Sequence, residues 1–244
     1  MTVLSKLIRD YDRLQLCIDP GAGSIKVQGR HVRAGIDPTF AKSIPIKIFR
    51  TLEPGLDCTV VYDFPPFEQP HVGRTAVKAF TDTNPDQLEY VLHNFKLALC
   101  YEYQDSPAVQ RIHKFLRVER RGDVQEIQRV YTDVFKVVRN GILEFMMSSS
   151  SNIHLREREE RHHYWTNIAI ELHLPMPCHW DAIQRGVVLD AAKAAGFAQQ
   201  GIIARSEPLC AMSDLCFKYF ESEDLRVRAP STTLTARFHL LTAR

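Results

Sequence analysis

Apolar positions along the chain recur with two periods, and the switches between them mark out the elements. Short apolar runs bounded by turn residues predict strands at Leu16–Ile18 and Ile25–Val27, which face each other across a tight turn. Further strands are predicted at Ile44–Phe49, Cys58–Tyr62, Tyr164–Leu172 and Ile202–Ile203. Recurrence at three and four residues predicts helices instead. A short helix opens in Val72–Ala79, and another runs from Asn84-Pro85 through Leu88, Val91, Leu92, Phe95, Ala98 and Leu99. A long amphipathic helix extends from Asp123 to about Met147. Asn84 is expected as an N-cap with Pro85 at the first helical position. Gly141 costs the long helix about 1 kcal/mol relative to Ala, but the apolar stripe continues past it.

In the second half, Asp181 and Gln184 have capping-box spacing at the head of a helix that passes through Ile183, Val187, Ala191 and Ala194 and stops at Gly196. Ser206-Glu207-Pro208 opens a further helix through Leu209, Met212, Leu215 and Tyr219. Turn chemistry interrupts the chain at Glu53-Pro54-Gly55 and at Leu174-Pro175-Met176-Pro177. Ser148–Ser151 with the charged run Arg156–Arg161 form the clearest linker, a surface loop over 148–162 that feeds the strand at Tyr164. The organisation expected is α/β: a lead-in over 1–13, one lobe over 14–220 with a mixed sheet flanked by helices, and a divergent or disordered tail over 221–244.

The chain has 244 residues and 45% hydrophobic content, enough for one substantial core or two small ones. Lys plus Arg number 31 against 29 Asp plus Glu, so no strong field favours nucleic acid or an anionic membrane. The basic stretch from Arg111 to Arg121 lacks aromatic platforms beside Phe115 and reads as a solvated face. Apolar runs fall short of the roughly 20 residues that cross a bilayer, and the first residues hold no signal-peptide core, so a cytoplasmic protein is expected. The six cysteines (Cys17, Cys58, Cys100, Cys178, Cys210, Cys216) form no Cys-x-x-Cys pair and read as free, mostly buried thiols. Neither Cys178-His179 beside His173 nor His162-His163 has zinc spacing.

Candidate chemistry concentrates in the first hairpin, Leu16-Cys17-Ile18-Asp19-Pro20-Gly21-Ala22-Gly23-Ser24-Ile25-Lys26-Val27. Glycines at 21 and 23 allow positive φ and leave the backbone open to a ligand, so successive N–H groups there could cup a phosphate. Asp19 at the strand mouth would hold the accompanying hard cation. On its own, an Asp with two glycines is more often only a turn. The pattern is neither a P-loop nor a dinucleotide fingerprint.

The hairpin resembles the first phosphate hairpin of the actin, sugar-kinase and 70-kDa heat-shock chaperone superfamily, Asp-x-Gly-[Ser/Thr/Ala]-[Gly/Thr]. Three further blocks follow in the order of the chaperone branch. Gly73, Ala76, Lys78, Asn84-Pro85 and Phe95-Lys96 match one. Trp180-Asp181 after Pro175-x-Pro177, with Ala191-Ala192-Lys193-Ala194-Ala195-Gly196, matches another. Ser206-Glu207-Pro208-Leu209-Cys210-Ala211 matches the third. The similarity is closest to divergent fungal members of that family. It implies an actin-like (ribonuclease H-like) ATPase lobe binding ATP and Mg²⁺. Asp19 then lies near the magnesium, Gly21, Ala22, Gly23, Ser24 and Lys26 surround the phosphates, Lys78 meets the transferring phosphate, and Glu207 positions water and metal. Such chemistry needs charge neutralisation, backbone donors and an acceptor that orients the nucleophile. On their residues alone, Lys78 is also an ordinary solvated helix lysine and Glu207 a helix-start carboxylate.

Gly201 is the last glycine, so the second phosphate hairpin and the second lobe are expected to be missing, as from a truncated or divergent chain. The leading expectation is a nucleotide-binding, chaperone-like protein with weak or no hydrolysis. The alternatives are a non-catalytic scaffold or regulatory module that keeps the lobe and, third, a small-molecule kinase of the same superfamily. An exposed cleft wall would favour protein partners or self-association.

Overall fold

The computed structural model describes residues 10–21, 23–36, 41, 44–46, 55–63, 68–119, 126–148, 158–198 and 201–207. In chain order the first elements are β1 (Arg13–Pro20), β2 (Ser24–Val32), β3 (Ile44–Pro45), β4 (Gly55–Asp57), β5 (Thr59–Tyr62), β6 (Pro70–Val72), α1 (Arg74–Thr83) and β7 (Leu92–His93). They are followed by α2 (Pro107–Lys114), α3 (Glu126–Ser148), α4 (Arg158–Asn167), β8 (Ala169–Met176), α5 (Ala182–Ala194) and β9 (Ile202–Ser206).

The hairpin predicted at Leu16–Val27 is the centre of the main sheet. β1 and β2 pair antiparallel, with Asp19 opposite Lys26 and Pro20 opposite Ile25. Alternation sends Leu14, Leu16, Ile18, Ile25 and Val27 into the core, and Gln15, Cys17, Asp19 and Lys26 to the other face. β8 lies parallel to β1, and β9 parallel to β8. On the far edge β2 carries β4 along Ser24–Lys26 and β3 along Gln28–Gly29, both antiparallel. The strand order is β3-β2-β1-β8-β9, with β4 beside β2, and helices flank the sheet in an α/β arrangement.

Cys58 carries the chain from β4 into a second, three-stranded sheet of order β6-β5-β7. Gly73, between β6 and α1, lies against that junction and donates its N–H to Thr59 O at 2.9 Å. Its φ of 88° is left-handed, and a Cβ there would lie 2.2 Å from Leu56 Cδ1. One continuous core joins both sheets: Leu16 and Leu172 from the first, Val60 and Tyr62 from the second, and Tyr131, Phe135 and Val138 from α3. α3 also packs on α5 and α4, and its observed limits agree with the predicted stripe. The capping box at Asp181 and Gln184 is present. At the other end of α5, Gly196 at φ 93° closes the helix with N–H bonds from Gly196 to Lys193 O and from Phe197 to Ala192 O.

Two predicted elements are corrected. Residues 84–99 form no continuous helix; 3-10 turns at Pro85–Tyr90 and Phe95–Leu99 flank β7. Asn84 makes no side-chain cap to the following turn, and its Nδ2 donates back to Phe80 O at 2.9 Å, closing α1 instead. β5 takes Leu92-His93 as its partner strand, and Asn94 resets the chain in the left-handed region at φ 52°. Most of the apolar set is still buried, but Leu88 is 58% exposed. Likewise Tyr164 does not open a strand. The end of the charged linker is α4, whose last turns anchor through buried Trp165 and through the Tyr164 hydroxyl, which donates to Asp12; β8 starts at Ala169. The strand beyond Ile46, the turn at Glu53-Pro54, the helix beyond Glu207 and the 221–244 tail lie outside the described residues.

Candidate functional site

Three parallel strands, β1, β8 and β9, end on the same side of the main sheet, the side on which such sheets collect ligand groups. Asp19 stands one residue before the end of β1, on the polar face. Glu207 directly follows β9. Between them comes Lys96, from the 3-10 turn at Phe95–Leu99.

Lys96 is only 8% exposed, although lysine is rarely buried without a partner. Its Nζ lies 2.5 Å from Glu207 Oε1 and 5.5 Å from the ring centroid of buried Trp180. Its backbone is fixed as well. The Cys100 thiol donates to Lys96 O at 3.8 Å. The thiol of Cys58, fully buried and pushed up to about 12 chiefly by that burial, has the Lys96 and Phe95 backbone N–H groups acting on it.

Asp19, Lys96, Glu207 and Lys26 form one electrostatic unit. Burial is the largest influence on Asp19 and raises its carboxyl above the ordinary value. Lys96 opposes that rise, Glu207 adds to it, and Lys26 opposes it from across the hairpin. One buried ammonium paired with Glu207 and acting on the Asp19 carboxylate suits a hard divalent cation together with a polyanionic ligand. The carboxylates supply oxygen donors for the metal, and Lys96 and Lys26 supply cations for phosphate oxygens.

The remaining hairpin residues depart from the expectation in detail. Ala22 lies outside the described residues, and neither Gly21 nor Gly23 has positive φ. Gly21 is required by close approach, since a Cβ there would lie 2.8 Å from Ser24 O, while nothing comes within 4 Å of one at Gly23. Ser24 pairs with Asp57 of β4. Gly23 and Lys78 meet at a cavity of about 620 Å³ on the α1 side of the hairpin, lined also by Asp57, Arg74, Thr81 and Asn94. Arg74 and Asp57 close part of its rim with a 3.0 Å ion pair. Lys78 is not among the charged groups that act on Asp19; the lysines that do so are Lys96 and Lys26.

Lys96 is thus the lysine that pairs with Glu207 and acts on Asp19, while Lys78 lines the neighbouring cavity. The available signal was a lysine beside Phe95 in an otherwise apolar segment. At the opposite, amino end of β1, Tyr164 donates to Asp12 and shares a 2.8 Å hydrogen bond with His31, while Arg13, Gln15 and His173 surround Glu171. This second polar cluster ties α4 and β8 to the hairpin.

No protein-family model matches the chain, and no curated protein sequence matches it. Among the described residues no helix is long and apolar enough to cross a membrane.

Proposed function

We propose that the chain is an actin-like, heat-shock-chaperone-like nucleotide-binding lobe of the cytoplasm, which takes ATP with Mg²⁺ against the carboxyl ends of β1 and β9. The observation that carries this reading is the convergence of Asp19, Lys96 and Glu207, distant in sequence, at one end of the central strands. The mixed sheet with the hairpin at its centre is compatible with such a lobe. When bound, Mg²⁺ and the triphosphate supply the electrophilic phosphorus and neutralise its charge.

The residues have separable tasks. Asp19 is the metal-side carboxylate, directly or through water. Burial, the main cause of its raised affinity for a proton, leaves its charged form short of solvation, which a bound divalent cation would offset. Lys96 presents Nζ to phosphate oxygens and Lys26 adds a second cation at the rim. Glu207 is the acceptor that would orient an attacking water once Lys96 faced phosphate oxygens.

The same ion pair favours a second reading. Lys96 and Glu207 already satisfy each other at 2.5 Å, so a lobe in which that pair never opens is a non-catalytic scaffold. Equilibrium dialysis with labelled ATP separates the two. The nucleotide-binding reading expects retention that requires Mg²⁺ and is displaced by ADP. Retention that ignores Mg²⁺, or none by folded protein, leaves the scaffold. Phosphoryl transfer to a panel of sugars would point to a kinase instead.

A further inference from the structure

Next to the segment that carries Lys96, the Sγ of Cys100, the carboxylate of Glu102 and the imidazole of His179 bring one ligand atom each to within 4.8 Å of one another. We propose that these three side chains form a binding site for a borderline-soft divalent cation of the zinc class, with water completing a tetrahedron.

The chain brings them together in a definite way. Cys100 is extended, at φ −94° and ψ 120°, between the 3-10 turns Phe95–Leu99 and Tyr101–Tyr103, and the second of these turns carries Glu102 back beside it. His179 comes from the connection between β8 and α5. That connection is already tied to the same segment from both sides. The Tyr101 hydroxyl donates to Asp181 Oδ2 at 2.9 Å, and the buried Gln184 Nε2 donates to Leu99 O.

The ligand set selects the metal. A thiolate, an imidazole and one carboxylate fit zinc, with bond lengths of about 2.0–2.3 Å, and exclude magnesium and calcium, which require oxygen donors. Closing the set to those lengths asks for movement mainly from Glu102 and His179, both exposed, while Cys100 stays buried as the fixed corner. No sequence pattern signals the site, because its third ligand is remote in the chain.

Binding exchanges the thiol proton for the metal: the S–H bond breaks, an S–metal bond forms, and the proton leaves to solvent. The thiol thereby gives up its hydrogen bond to Lys96 O. A cation here clamps the segment that carries Lys96 to the segment that carries Trp180.

The test is titration of untagged, reduced full-length chain with Co²⁺, whose spectrum reports ligand type where Zn²⁺ is silent. One equivalent is expected to give thiolate-to-cobalt charge-transfer absorption with tetrahedral visible bands, and Zn²⁺ is expected to displace it while Mg²⁺ does not. Glu102→Gln and His179→Gln, both at exposed positions that spare the fold, should each weaken binding at least about tenfold. Cys100→Ala should abolish the charge-transfer band, and Cys178→Ala and His162→Gln should leave it unchanged. Absence of the band in folded protein, its loss in Cys178→Ala, or full affinity in His179→Gln would overturn the proposal.

Discussion

Replacing Lys96 by Met keeps a buried apolar stem and removes the charged end that lies over Trp180. For a fully buried pair, loss of one partner costs about 3–5 kcal/mol, because the other charge is stranded. Here the Lys96 side chain is 10% exposed but that of Glu207 is 37% exposed, so the stranded carboxylate can recruit water. The cost for Lys96→Met is therefore reduced to about 1–2 kcal/mol. Urea denaturation of wild type, Lys96→Met, Glu207→Gln and the double variant closes a cycle that isolates the pair. A coupling of about 1–2 kcal/mol is expected, smaller at high salt. Single effects that add within about 0.3–0.5 kcal/mol would show that the two charges do not meet in solution, and the reasoning would fail.

Other perturbations probe the surrounding frame. Asp19 holds its proton more tightly in the folded state than at the ordinary 3.8, so the native protein binds more protons and stability falls as pH rises from that value through the raised one. Asp19→Asn removes this slope and should raise the melting temperature at neutral pH; a lower melting temperature would contradict the burial penalty. Asp12 is the opposite case, its carboxyl held low first by the Tyr164 hydroxyl. Its contribution is present above the ordinary 3.8 and is lost as pH falls through the lowered value. Tyr164→Phe should cost about 1 kcal/mol at neutral pH and less in acid, read from denaturation curves at both pH values. Gly73→Ala meets both a left-handed φ, worth about 1–2 kcal/mol, and the Leu56 side chain, so a loss of about 2–4 kcal/mol is expected. Adding Leu56→Ala should relieve the clash but not the backbone strain, visible as non-additivity in the same assay.

What could be read from the sequence follows from how local each signal is. The hairpin shows itself because alternation and two glycines act within a dozen residues, and α5 because both of its ends carry capping chemistry. The 84–99 segment misleads because 3-10 turns repeat at three residues and bury nearly the same side chains as a helix; only the pairing of Leu92 with Val60 distinguishes them, and that partner is remote. α4 is hidden for a related reason, since its charged turns face water and its anchor, Tyr164 on Asp12, spans 152 positions. The site follows the same rule. Asp19 and Glu207 stand at element ends where motif spacing reaches them, whereas Lys96 meets Glu207 through a contact across 111 positions. Its local signs were a lysine in an apolar segment and the Phe95-Lys96 pair at the end of the block that opens with Gly73.

Calorimetric titration with Mg-ATP, run in parallel on wild type, Asp19→Ala and Lys96→Met, tests the claim that these residues form one phosphate and metal site. Micromolar binding, about −8 kcal/mol, is expected for wild type, with each substitution weakening it at least about tenfold. Equal affinity in all three, or no heat from folded wild type, would contradict it.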